Sequence, residues 1–229
     1  MFSFEAWWQI LTTKLPVFFQ GVGTTVELAL YTAIFGTLLG IVVALLRMSK
    51  IKVLKVLAGV YIEFLRGTPL LVQVLIVFYG LPQLGIKLPR LTAGTVALVI
   101  NSAAYMAEIV RSGIQAIDGG QTEASRSLGM NGFQTMIYII LPQAIKNILP
   151  AIGNEMIALL KETSIIIMIG ATPGTITFDL NAAANTIYRQ IPNYLASGLI
   201  VGACYLAIVY LMVLGVKIVE RKLKAGDQR

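Results

Sequence analysis

The chain has no histidine and a single cysteine, Cys204. The common zinc and haem sites depend on those two side chains, so such centres are not expected. A lone cysteine in an apolar run cannot close an intrachain disulfide and serves as a small hydrophobe. Charge is scarce as well: Asp, Glu, Lys and Arg together make up 13% of the 229 residues, where soluble domains carry roughly 25%. No Gly-x-x-x-x-Gly-Lys-Ser/Thr phosphate loop occurs, so ATP binding through that motif is not expected of this chain. A Gly-x-Ser-x-Gly elbow and metal-ligand clusters are also missing, which argues against a membrane-embedded enzyme. The opening "MFSFEAWWQILTTK" lacks a basic leader and a small-residue cleavage site, so no cleavable signal peptide is expected.

What is present is apolar. Hydrophobic residues make up 57% of the chain, and the mean hydropathy is +0.80. An integral membrane protein follows. About 20 apolar residues cross a bilayer as a helix, and such runs occur at roughly 20–46, 54–82, 91–115, 147–169 and 194–219. Residues 1–19 are expected outside the membrane core, as an interfacial helix with Trp7 and Trp8 at the lipid surface. The transmembrane domain is expected over 20–219, and a cytoplasmic tail over 220–229. Arg47, Lys50, Lys52 and Lys55 follow the first run, Arg111 and Arg126 flank the third connection, and Lys217, Arg221, Lys222, Lys224 and Arg229 end the chain. Only Lys14, Lys87, Arg90 and Arg189 fall on the other side. Basic residues favour the cytoplasm, so the N-terminus is expected outside and the C-terminus inside. The net charge of +7 is thereby a topology signal, not a nucleic-acid patch.

One stretch interrupts the pattern. In "EASRSLGMNGFQTMIYIILP", Glu123 to Leu128 predict a short cytoplasmic helix, and Gly129 a turn that a Cβ would resist. Asn131 and Gly132 permit a second reversal. Phe133, Met136, Ile137 and Ile140 then predict one apolar face of an interfacial helix, which Pro142 bends toward the fourth span. The order Glu123-Ala124-Ser125, Gly129, Ile140-Leu141-Pro142 resembles the EAA loop of the membrane subunits of ABC-type importers, with Ser125 in place of the second Ala. "YIEFLRGTPLLVQ", "AAYMAEIVRSGIQAIDGGQ" and "LPAIGNEMIALLKETS" are similar to the polar amino acid permease branch (His, Arg, Gln and Glu uptake), and the resemblance covers nearly the whole chain.

The resemblance implies an all-α membrane protein: a five-transmembrane-helix type I ABC importer permease fold with a cytoplasmic coupling helix in the loop 116–142. It implies that Glu123, Ala124, Ser125, Leu128 and Gly129 dock on a cytoplasmic ATPase. That partner would bind ATP and Mg, leaving no cofactor in this chain. The other implied partners are a second permease subunit, identical or a sister, and an extracytoplasmic amino-acid-binding protein.

Charged residues inside membranes point to function. "LRGTPLLV", residues 65–72, aligns with "LKETSIII", which begins at Leu160, and each is interrupted by polar or helix-breaking residues. Paired interruptions point to a transport site near mid-membrane. An amino acid needs a partner for its carboxylate and another for its ammonium. Lys161 and the freed backbone near Thr68 and Pro69 are candidates for the carboxylate, and Glu155 and Glu162 for the ammonium or a cationic side chain. Asn154, Thr163 and Ser164 complete the polar set. Two Glu against one Lys between 154 and 164 favour a basic amino acid over glutamine or glutamate. A structural pairing of Lys161 with Glu155 or Glu162 is the competing account. Glu63 and Arg66, like Glu108 and Arg111, are spaced i, i+3 and are expected to pair within their helices. Gly36 and Gly40 form a G-x-x-x-G close-packing signal, either within one subunit or between two. An ion-coupled secondary transporter is the rival class; it would carry its own coupling site and have no use for the docking loop.

Overall fold

Backbone polar groups in lipid must be satisfied within the protein, and a helix does so inside one segment. The computed structural model describes residues 4–170 and 179–225, which are helical with short connections and contain no strand. Residues 226–229 of the expected tail, with Arg229, lie outside the described residues. Helix α1 (Phe4–Thr13) buries Ile10 and leaves Phe4 and Trp8 exposed. After it, α2 (Leu15–Arg47) runs for 33 residues.

The second apolar run is not one helix. It divides into α3 (Lys52–Gly67) and α4 (Leu70–Leu75), and the chain bends by 107° between them. Pro69 has no N–H to continue the helix, and Thr68 before it is forced extended, with φ −116° and ψ 146°. A π-helical turn (Ile76–Gly80) and a 3-10 turn (Leu81–Leu84) follow, ending on Gly85 at φ 84°.

Helix α5 (Arg90–Gln115) is central, packed by α2, α3, α4 and α8. Its buried face is built largely of small residues, among them Ala93, Ala97, Ser102, Ala103, Ala104 and Ala107. Gly36 and Gly40 of α2 lie against it. A Cβ on Gly36 would stand 2.4 Å from Ser102 Oγ, and one on Gly40 2.5 Å from Met106 Cβ. The G-x-x-x-G pair therefore packs two helices of the same subunit.

Helix α6 (Gly119–Ser127) and α7 (Gly132–Gln134) lead into a π-helical turn (Thr135–Ile140), α8 (Leu141–Glu162) and a 3-10 segment (Thr163–Ile169). Residues Gly132–Ile169 form one continuous helical run, longer than the expected span 147–169. The predicted apolar face of 133–140 is mostly open, with Met136 half-buried. Thr135 and Ile140 are buried, whereas Phe133 and Ile137 are exposed. A π turn here, in which Leu141 N–H reaches the Met136 carbonyl five residues back, shifts the helical phase. The turn at 76–80 does the same from Leu81 to Ile76. In each case a Leu-Pro pair follows, and the wider turn leaves room at a residue that cannot donate.

Helix α9 (Leu180–Gln190) lies outside the runs expected from hydropathy, and α10 (Tyr194–Ala225) ends the described chain. Among the described residues, four helices are long and apolar enough to cross a membrane, or five if the bent pair is one span.

Candidate functional site

The two similar stretches meet. Leu70 and Val74 of α4 pack with Ile165, Ile166 and Ile169 of the 3-10 segment, in one cluster with Leu28, Ala97 and Leu98. The broken span and the polar end of α8 thus lie side by side. Thr68 is half-buried and Pro69 exposed. The Thr68 hydroxyl donates to the Phe64 carbonyl at 2.9 Å.

On α8, Asn154 and Lys161 are two turns apart, as are Glu155 and Glu162, and the two rows adjoin on one side of the helix. Asn154 and Lys161 are exposed, whereas Glu155 and Glu162 are half-buried. Neither glutamate lies within ion-pair distance of Lys161 among the described residues. Thr163 is fully buried and its hydroxyl donates to the Leu160 carbonyl at 2.9 Å. Ser164 donates to the Lys161 carbonyl at 2.7 Å, and its own carbonyl accepts from Asn181 of α9 at 3.3 Å.

Two expected pairings resolve differently. Glu108 and Arg111 do pair, and Arg111 also reaches Gln115. Glu63 and Arg66 do not: Glu63 faces Arg47 at 3.9 Å, and the Arg66 guanidinium lies 5.3 Å from the centre of the Tyr105 ring. Arg66 sits in the last turn before the break, where α5 offers it an aromatic face. The i, i+3 spacing had assigned Arg66 elsewhere. Gln73 is the other residue that spacing overlooked. It is an uncharged amide within an apolar run, yet its side chain is buried against the break.

The expected docking turn is built from local hydrogen bonds. Asp118 caps α6 by accepting from Gly120 N–H at 2.7 Å. Gly129 adopts φ 84°, and the bonds Gly129 N–H to Arg126 and Met130 N–H to Ser125 close the helix end in a Schellman arrangement. Asn131 and Gln134 form a reciprocal capping box, both bonds 2.9 Å. Glu123, Ala124, Leu128 and Gly129 are exposed, Leu128 to 84%. Ser125 points inward, 2% exposed, with its hydroxyl 3.0 Å from that of buried Thr135. Four of the five expected docking residues therefore share an open surface, and the fifth pins that surface to the base of α8.

The family described as "binding-protein-dependent transport system inner membrane component" matches residues 36–225. The arginine transport system permease protein ArtQ of Bacillus subtilis (strain 168) is 41% identical over 215 residues, covering 93% of this chain and 95% of that protein. The putative glutamine transport system permease protein GlnP of Rickettsia bellii (strain RML369-C) is 37% identical over 211 residues, 92% of this chain and 94% of its own. A chain from the crystal structure of an amino acid ABC transporter with histidines superposes with a TM-score of 0.89 at 43% identity, covering 97% of this chain and 99% of that one. A chain of the inward-facing MetNI methionine ABC transporter shares the fold at a TM-score of 0.71 and 18% identity, covering 97% of this chain and 99% of that one.

Proposed function

The chain belongs to the family of inner-membrane components of binding-protein-dependent transport systems, and from that premise we propose that it is the permease subunit of an ATP-driven importer for a basic amino acid, with arginine, histidine or lysine favoured. The observation that carries the substrate class is the row of Glu155 and Glu162 on α8, two half-buried carboxylates beside the broken span. Removed from bulk water, a carboxylate attracts a cation strongly. One glutamate takes the α-ammonium and the other the cationic side chain. Lys161, Arg66 and the backbone freed near Thr68 and Pro69 face the substrate carboxylate. Asn154, Thr163 and Ser164 supply the polar surroundings.

Transport follows by alternating access. An exposed α6 turn docks on an ATPase subunit that binds ATP and Mg, and closure of two ATPases draws two such turns together. The second permease subunit is identical or a sister chain, and an extracytoplasmic binding protein delivers the amino acid. The N-terminus lies outside and the C-terminus in the cytoplasm, as the basic residues direct.

A second reading, a permease for glutamine or glutamate, is favoured by two observations. GlnP is 37% identical, and Arg66, in the last turn before the break, adds a positive charge near the broken span. The test is uptake of labelled arginine and glutamine into sealed vesicles that hold the reconstituted complex and internal ATP, with ion gradients collapsed. Glu155→Gln is expected to lower arginine uptake about tenfold or more, with a smaller loss for whichever neutral amino acid is carried. Equal losses would remove the selectivity argument. Uptake that needs an ion gradient and no ATP would favour the secondary transporter.

A further inference from the structure

Pro69 removes a hydrogen-bond donor where the second span breaks. In an unbroken helix the Leu65 carbonyl accepts from the N–H four residues on, which is residue 69, and proline has none. Leu65 is 6% exposed, and an unmet acceptor at such a position is costly. The missing donor comes from a side chain. The Gln73 amide donates to the Leu65 carbonyl at 2.8 Å, to the Thr68 carbonyl at 3.1 Å and to the Thr68 hydroxyl at 2.9 Å. Asn101 of α5 in turn donates to Gln73 Oε1 at 2.9 Å, which holds the Gln73 donors toward the break. Asn101 also reaches the Leu65 carbonyl at 3.4 Å. Gln73 and Asn101 are 6% and 3% exposed, so water does not replace either.

We infer that Gln73 and Asn101 are positioning residues for translocation: the Gln73 amide stands in for the N–H that Pro69 lacks, and Asn101 ties the break to α5. Only Ala116 and Ile117 separate α5 from Asp118, the cap of α6. Motion imposed on α6 by a docked partner passes along α5, and the Asn101–Gln73 bond delivers it to the Thr68–Pro69 bend. A link of this kind needs a measured coupling, not adjacency alone. The transmission half rests on the transport reading above; the substitution of Gln73 for a backbone donor does not.

Both halves are testable on the complex with its ATPase partner, reconstituted in lipid. The first measurement is the Tm of the wild type, Gln73→Leu, Pro69→Ala and the double variant. Pro69→Ala restores the backbone N–H. Gln73→Leu is expected to lower Tm in the wild-type background by at least twice as much as in the Pro69→Ala background. Equal losses in the two backgrounds would overturn the substitution of side chain for N–H. Gln73→Met, which keeps length without the amide, serves if the leucine variant does not assemble. The second measurement is the number of amino acid molecules taken up per ATP hydrolysed, below every Tm. Asn101→Leu removes the bond to Gln73 Oε1 while keeping the Gln73 amide itself, and is expected to lower that ratio about tenfold, the loss expected for one buried hydrogen bond that differs between two states. An unchanged ratio would overturn the link to α5. A wild type that imports no amino acid under ATP would sink the transport reading instead, and the Tm cycle would still judge Gln73.

Discussion

Gly129 holds the proposed docking turn through one backbone angle. At φ 84° an L residue with a Cβ costs about 1–2 kcal/mol. Proline cannot take that φ at all and would also remove the bond from Gly129 N–H to the Arg126 carbonyl. Gly129→Pro is therefore expected to abolish co-purification of the ATPase subunit while the permease still inserts in the membrane, with Gly129→Ala weakening it in a graded way. Retained association of the proline variant would move the contact away from this turn. The need for glycine here was legible from the polar interruption in an apolar chain. The inward role of Ser125 was not, because its partner Thr135 belongs to a π turn that periodicity does not announce. Arg66 was misplaced for a similar reason: spacing finds partners within a helix, and its aromatic partner Tyr105 lies on another.

Between elements, close approach is set by small side chains. The α2–α5 contact brings Gly40 so near that a Cβ would also stand 2.9 Å from the Ala103 carbonyl oxygen, a backbone atom that cannot swing aside. Gly40→Ala is expected to cost about 1–3 kcal/mol by overpacking, read as a lower Tm of the purified complex. Gly23, with nothing within 4 Å of its built Cβ, is the control: Gly23→Ala should leave Tm unchanged or slightly raised. Long helices were legible because hydropathy integrates over many residues, as in α2 and α10. The α9 helix was not, since "LNAAANTIYRQ" is only 11 residues long and Asn181, Asn185, Arg189 and Gln190 offset the hydropathy of its buried alanines. The bend at Thr68–Pro69 was visible as a break but not as a 107° turn, which depends on how α4 packs against α5 and the 3-10 segment.

At the scale of the whole chain, orientation decides whether the parts form one mechanism. A single buried cluster joins Val43 and Ala44 of α2, Ala58 of α3, Ala107 and Val110 of α5, and Ala144 of α8. It gathers at one end of the molecule the helix termini that carry Arg47, Lys52, Lys55 and Arg111. The opposite cluster joins Ile10, Phe18, Leu180 and Ile191, near Lys14 and Arg189. Since α5 runs into α6 at the more basic end, the positive-inside rule predicts that the Gly129 turn lies in the cytoplasm, where ATP is. The sole cysteine makes this measurable. Cys204 packs against the opposite cluster, and Cys204→Ala gives a thiol-free background. In it, Thr13→Cys and Ser127→Cys place thiols at exposed positions of α1 and α6. A membrane-impermeant maleimide is expected to label the first in intact cells and the second only after permeabilisation. The reverse pattern would put the docking turn on the side without ATP. Each local contact would then survive, yet no ATPase could reach the helix meant to drive transport.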